Sequence, residues 1–298
     1  MTPGESRYKL SDRTPLDTPS QSPPPAPAPK FRPPFWMLLL VLAFVLVPFL
    51  FWRSTWFGRP LSDKETGDYL ADSEHPRKTQ HALVQLSERI GRGDSSVRQW
   101  YPKVRALAAH SSPEIRATAA WVMGQDNQAE EFHETLRGLL RDSDPLVRRN
   151  AALSLVRFGD AGGKAELTAM LRPYGVLAPR AGTLATRLRA GDPVNPGTLL
   201  ARIETSPGQR FELRSPLPGR VERWLKPDGS VVQQDDAVVL LAPSEDQVWE
   251  ALRALYLVGS EDDLEDVERY AAGVEGMSER IRQQARLTAE AIRRRANQ

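Results

Sequence analysis

Two stretches of the sequence repeat each other at an interval of 32 residues, and this repeat constrains the fold more than any other feature. The stretches "SPEIRATAAWVMG" (112–124) and "DPLVRRNAALSLVRFG" (144–159) share a proline after Ser or Asp, an aliphatic–Arg pair, an Ala-Ala pair and a closing glycine. Proline suits the first position of a helix because its missing N–H would be unpaired there. The period predicts pairs of antiparallel helices that stack into an α-solenoid.

The repeat resembles the short HEAT-like repeat of the PBS-lyase type. The resemblance implies two antiparallel helices per repeat, with alanines on the inner helix where neighbouring repeats stack. Looser copies predict inner helices that begin near residues 77, 113, 145, 246 and 278. Because the step from 145 to 246 is too long for one repeat, we expect an insertion at 174–243, between HEAT-like repeats at 76–173 and at 244–298.

The inserted segment has short apolar runs separated by Gly and Pro, which is typical of an all-β module. It also repeats internally: residues 177–203 parallel 213–241, with Pro179/Pro216 and Gly182/Gly219 at equivalent positions. This pattern resembles the biotinyl/lipoyl, or barrel-sandwich hybrid, fold, and also the related domain of membrane-fusion proteins. In the carrier proteins a lysine at the tip between the halves is modified. Here the tip, 204–210, reads "ETSPGQR" and has no lysine, so we expect no cofactor.

An apolar run at the N-terminal side predicts a transmembrane helix. Residues 35–52, "FWMLLLVLAFVLVPFLFW", carry no charge and would extend ~27 Å as a helix, close to the thickness of a bilayer core. A buried core helix and a signal peptide are the alternatives. Core helices of soluble proteins are rarely apolar on every face, and no small-x-small cleavage pattern follows the segment. The expected organisation is a disordered Pro-rich tail at 1–34, the span at 35–52 and a juxtamembrane linker at 53–75. We expect a bacterial inner-membrane protein with a single span, a cytoplasmic N-terminus and a periplasmic body.

Composition excludes several classes of function. The net charge is +2, and residues 1–34 account for it, so the body lacks the basic excess that nucleic-acid binding requires. The absence of cysteine excludes disulfides and thiolate metal sites. "HETLR" at 133–137 lacks the second histidine of a zinc motif, so we expect no metal site, and no motif indicates a catalytic residue.

The fold class predicted is therefore multidomain α+β: a transmembrane helix, a HEAT-like α-solenoid and an inserted barrel-sandwich module. The function expected is that of a non-catalytic scaffold or accessory subunit of a bacterial envelope complex, which binds other proteins. The alternatives are a periplasmic adaptor of an efflux or secretion system, and a degenerate carrier subunit of a biotin- or lipoate-dependent enzyme. The candidate partner surface combines aromatic residues with arginines that recur at one repeat position, and its members are Trp100, Tyr101, Arg116, Arg148, Arg149, Trp224 and Arg282.

Overall fold

The computed structural model describes residues 34–54, 60–72, 74–206 and 208–297, except for the side chains at 38, 51–54 and 206. The chain divides into two compact units, Met1–Arg59 and Pro60–Gln298. The predicted disordered tail at 1–34 lies outside the described residues, apart from Pro34.

The first unit contains helix α1, Phe35–Ser54. Across the described residues, no helix combines the length and the apolarity needed to cross a membrane. This finding contradicts the transmembrane helix predicted at 35–52, and with it the membrane as a partner and the single-pass inner-membrane localisation with a periplasmic body.

The second unit is built mainly from helices. The α-helices of this unit are α2 (Asp63–Leu70), α3 (Pro76–Gly91), α4 (Tyr101–Ala106), α5 (Pro113–Met123), α6 (Glu130–Leu139), α7 (Pro145–Val156), α8 (Lys164–Ala169), α9 (Glu245–Val258), α10 (Leu264–Ala272) and α11 (Glu279–Ala296). The inner layer consists of α3, α5, α7, α9 and α11, which stack consecutively and begin within one residue of the predicted starts.

Local capping explains where the inner helices begin. The side chain of Ser112 accepts a hydrogen bond from the N–H of Ile115 at 3.4 Å, and that of Asp144 accepts one from the N–H of Leu146 at 2.8 Å. Proline follows each cap at the first helical position. Both features fix the start of a helix independently of its packing.

Helix α2 lies within 53–75, the segment predicted as a linker. Its N-terminus is a capping box, in which the Ser62 side chain accepts from the N–H of Glu65 while the Glu65 carboxylate accepts from the N–H of Ser62. The Ser-x-x-Glu pattern at 62–65 is a sequence signal for a helix start. Thr66, Gly67 and Leu70 of α2 are buried, so this helix is the first element of the helical stack.

The helical core continues across the inserted segment. One buried cluster contains Leu167 and Leu171, which precede the insertion, together with Val248, Leu252 and Ile292, which follow it. Helix α9 packs against α7 and α8. The helices on either side of residues 174–243 therefore form one continuous stack.

The inserted segment forms two four-stranded antiparallel sheets. In the first, the strand order is β1-β8-β6-β3, and in the second it is β5-β4-β2-β7. The strands are β1 (Tyr174–Leu177), β2 (Gly182–Thr186), β3 (Pro193–Val194), β4 (Leu199–Ser206), β5 (Gln209–Arg214), β6 (Gly219–Trp224), β7 (Val231–Val232) and β8 (Ala237–Pro243).

The two sheets are related by an internal duplication. If β1–β4 are exchanged with β5–β8, the strand order of one sheet becomes that of the other. The close approaches repeat as well: a Cβ on Gly182 would lie 2.6 Å from the carbonyl oxygen of Glu204, and one on Gly219 would lie 2.2 Å from that of Ala242. Glycine is thus required at the same place in both halves.

Candidate interaction surface

Arg116 and Arg148, two of the predicted surface arginines, link successive repeats. The Nε and Nη2 of Arg116 donate to the carboxylate of Asp142 at 2.7 and 2.8 Å, and the Nε of Arg148 donates to Glu166 at 2.6 Å. Each arginine also donates from Nη1 to two carbonyl oxygens in the turn before its own helix. We call this arrangement the arginine ladder: at two successive steps, an arginine of one repeat is bonded to a carboxylate of the next.

The ladder does not extend to Arg282, which occupies the corresponding position of α11. Arg282 pairs instead with Glu279 of its own helix at 2.9 Å. A different arginine links the helices on either side of the inserted segment. Arg172, which follows α8, donates from two nitrogens to the carboxylate of Asp266 on α10.

Arg149 lies at the junction between the helices and the β module. Its side chain is 4% exposed, and among the described residues it forms no ion pair. The guanidinium lies 5.8 Å from the ring centre of Tyr174, at the start of β1. Burial lowers the pKa of Arg149 to about 10, so the group stays charged at neutral pH.

The amide of Gln247 completes this junction. In one orientation its oxygen accepts only from the N–H of Ser244, at 3.3 Å. In the other, the oxygen accepts from Arg149 Nη1 at 2.8 Å and the nitrogen donates to the carbonyl of Pro218 at 2.9 Å. The second orientation makes two short bonds, and it ties α7, α9 and the β5–β6 turn together.

Trp100 and Tyr101 belong to the packing of the first repeats. Tyr101 is 3% exposed and donates its hydroxyl to Asp126 at 2.7 Å; burial and this bond raise its pKa. The Trp100 ring packs over Gly67, where a Cβ would come within 2.8 Å of the ring. Both aromatic side chains therefore fix neighbouring helices, and only part of Trp100 faces solvent.

Trp224 is half-buried at the end of β6. Its Nε1 donates to the carbonyl of Leu188 at 3.0 Å, and its ring packs against the core of the β module. The structure thus places the seven predicted residues at several separate locations and does not bring them together as one surface.

An exposed aromatic residue lies elsewhere, on the inner helices. Trp121 is 42% exposed on α5. Val84 on α3 and Leu287 on α11 are also exposed. When the repeats are aligned by their N-caps, Val84, Trp121 and Leu287 occupy the same repeat position. This recurrence of apolar residues is the sequence signal that could have identified them.

The described residues contain no group of three or more His, Asp or Glu side chains that could hold a metal ion. His133, in the incomplete zinc motif, lies 2.8 Å from Asp160 through Nε2 and stacks on Phe158. Arg137, which replaces the second histidine, also donates to Asp160, at 2.6 Å. This cluster joins α6 to the turn before α8.

The chain is similar to HEAT repeats over residues 101–177, where the family model of that name matches. The matched range covers α4 to β1 and ends before α9–α11. Such repeats stack into extended surfaces that bind other proteins. No curated protein matches the sequence.

A solved structure with local similarity is that of a single-chain, multi-domain long-chain acyl-CoA carboxylase. The two are 20% identical, the TM-score is 0.23, and the alignment covers 42% of this chain and 14% of that chain. This chain therefore matches only a small fraction of the carboxylase, and a TM-score this low defines no shared fold.

Proposed function

We propose that this protein is a non-catalytic scaffold or accessory subunit that acts by binding other proteins. The observation that carries the proposal is the repeat stack, in which residues 101–177 are similar to HEAT repeats. The polar groups of the repeats bond one repeat to the next, as in the pairs Arg116–Asp142 and Arg148–Glu166. Exposed apolar side chains on the helices, such as Trp121, are available to contact a partner.

The β module adds a second surface under this proposal. We infer that it has the biotinyl/lipoyl type of barrel-sandwich fold, because its two interlocked sheets are related by an exchange of halves. Its role differs from that of a carrier. The β4–β5 tip has no lysine, and Lys226, the only lysine of the module, lies beyond β6 with its Nζ 3.3 Å from Asp236.

The two alternative functions receive less support. A carrier subunit of a biotin- or lipoate-dependent enzyme needs an acceptor lysine at the tip. A periplasmic adaptor of the membrane-fusion type has a long helical hairpin between the halves of the module, whereas here only two residues separate Ser206 from Gln209. The bacterial envelope depended on the contradicted membrane span and forms no part of the proposal.

Affinity purification of the tagged full-length chain after crosslinking, followed by mass spectrometry, tests the scaffold proposal. We expect a partner in stoichiometric amount. Recovery of the chain alone, with and without crosslinking, would refute it. The intact mass of the native protein distinguishes the scaffold from the carrier alternative. A covalently attached biotin or lipoyl group would support the carrier function instead.

A further inference from the structure

One position of the repeat is mostly apolar on five consecutive inner helices, and its side chain is exposed on four of them. The position is the ninth after each N-cap, and the N-caps are His75, Ser112, Asp144, Ser244 and Ser278. The side chains at this position, which we name the inner ridge, are Val84, Trp121, Leu153, Arg253 and Leu287.

Hydrogen bonds between the inner helices show that equivalent positions lie side by side. The Ser154 hydroxyl, next to the ridge residue Leu153, donates to the carbonyl of Ala120 on the preceding helix at 2.9 Å. The Thr288 hydroxyl, next to Leu287, donates to the carbonyl of Leu252 in the same way, also at 2.9 Å. These bonds place ridge residues of neighbouring helices side by side in two pairs, Trp121 with Leu153 and Arg253 with Leu287. Helices α3 and α5, and helices α7 and α9, are also in contact.

The exposure of this row is unusual for its residue types. Single exposed apolar side chains are common on protein surfaces, but a row of them marks a contact site. Val84 and Trp121 are each 42% exposed and Leu287 is 52% exposed, whereas Leu153 is partly buried. Tryptophan and arginine, both present in the row, are the residues that most often dominate binding energy at protein interfaces.

Among the exposed side chains around the second half of the ridge, arginines outnumber acids by a small margin. Arg253 lies in the row itself, with Glu250 only at 3.8 Å. Arg286 and Arg294 are exposed on α11, and no ion pair involves either of them in the described part of the chain. Glu290 is the exposed acid between them. The chain as a whole is nearly neutral, so this local excess of cations is not forced by composition.

We propose that the inner ridge binds an acidic segment of another protein that carries bulky apolar side chains. The apolar groups pack on Trp121 and Leu287, and the carboxylates face Arg253 and its neighbouring arginines. Opposite charge adds specificity and speeds association, while the apolar contacts supply most of the affinity. This inference rests on the scaffold function proposed above and names the surface that performs it.

The test uses the full-length chain and two fluorescent synthetic peptides, one alternating Glu and Leu and one alternating Lys and Leu. Fluorescence anisotropy should show saturable binding of the acidic peptide and much weaker binding of the basic one. The double variant Trp121→Ser/Leu287→Ser should lower the affinity by about tenfold or more, as loss of anchor residues does. Arg253→Glu should weaken binding of the acidic peptide and improve that of the basic peptide.

Val231→Ser is the matched control, because Val231 is 70% exposed but lies on β7 of the β module. This variant should bind like the wild type. Since all the substituted positions are exposed, each variant should keep the helical circular dichroism and melting temperature of the wild type. A misfolded double variant would leave Arg253→Glu as the deciding measurement.

Three outcomes of the peptide experiment would each overturn the inference: no saturable binding of the acidic peptide, equal affinity for both peptides, or unchanged affinity in the ridge variants. Ridge-dependent binding of a single-stranded oligonucleotide in place of the peptide would assign the arginines to a different partner. Recovery of the same stoichiometric partner by wild type and double variant would refute the ridge while leaving the scaffold function intact.

Discussion

Asp142 of one repeat receives two hydrogen bonds from Arg116 of the repeat before it, at 2.7 and 2.8 Å. Its backbone carbonyl also accepts from Arg148 Nη1 at 2.8 Å. A single residue thus connects two steps of the arginine ladder. Because the side chains of Arg116 and Asp142 are only 14% and 9% exposed, loss of one partner should cost more stability than it would in a surface ion pair.

Arg116→Met is expected to lower the free energy of unfolding by roughly 2 to 4 kcal/mol, because it leaves the Asp142 carboxylate buried without its cation. The double variant Arg116→Met/Asp142→Leu should recover much of this loss, since neither charge remains. Urea denaturation measures both. Arg141→Met, at an exposed neighbouring position, is the control. Equal losses in Arg116→Met and the control would contradict the structural role of the pair.

Acid should destabilise the helical stack. The hydrogen bonds from Arg116 lower the pKa of Asp142. Burial opposes ionisation of Asp160, but hydrogen bonds from Arg137, Gly162 and His133 outweigh it and lower the pKa of Asp160 to about 2. A carboxylate with a lowered folded-state pKa stabilises the fold above its unfolded pKa and loses that contribution as pH falls. Unfolding free energy should therefore decrease from about pH 4 towards about pH 2.

The acid effect is measured by urea denaturation across this pH range. In Asp142→Asn/Asp160→Asn the decrease should be smaller, although the variant is less stable at neutral pH. An unchanged slope in this variant would assign the acid sensitivity to other carboxylates.

Gly182→Ala and Gly219→Ala should each destabilise the β module. A Cβ at either position would collide with a backbone carbonyl of the neighbouring central strand, and backbone cannot move aside as a flexible side chain can. We expect a loss of roughly 2 kcal/mol or more for each, within the range of overpacking. Gly175→Ala is the control, because its Cβ would meet only Leu240 Cδ2 at 3.8 Å. Thermal denaturation compares the three, and tolerance of alanine at 182 and 219 would argue against the duplicated close approach.

Arg149→Met should leave stability within about 1 kcal/mol of the wild type or raise it, because methionine fills similar space without the cost of burying a charge. Arg149→Ala should be destabilising by contrast, since it leaves a cavity. The two variants are compared by chemical denaturation. A large loss in the methionine variant would mean that the bonds to Gln247 and the contact with Tyr174 outweigh the desolvation of the guanidinium.

Local signals in the sequence predicted the inner helices well. The prolines at 113 and 145 and their capping residues determine helix starts without reference to distant contacts. The insertion at 174–243 was predicted from the long step between the helix starts at 145 and 246. The prediction of a linker at 53–75 missed α2. The capping box formed by Ser62 and Glu65 is the local signal for the start of this helix, and the prediction did not use it.

The site was harder to predict because exposure depends on packing between repeats. Trp121 and Tyr101 are both aromatic residues in helical patterns, yet Trp121 points away from its neighbours while Tyr101 is enclosed by them. Arg149 follows Arg148 directly, but only Arg148 reaches a carboxylate. Which of two adjacent residues faces solvent depends on the helix phase and on the β module, and the repeat pattern specified neither.

The pairing of β1 with β8, with Tyr174 opposite Leu241, brings the two ends of the inserted segment side by side. This arrangement has a consequence for the order of folding. If the β module forms first, it shortens the loop that must close before α9 can reach α7 and α8, which reduces the entropic cost of closure by about 2 to 3 kcal/mol. Refolding of the helical stack, followed by far-ultraviolet circular dichroism, should then be slower in Gly219→Ala than in Gly175→Ala. Equal rates would mean that the stack closes without help from the module, which would thus add surface to the protein without guiding its assembly.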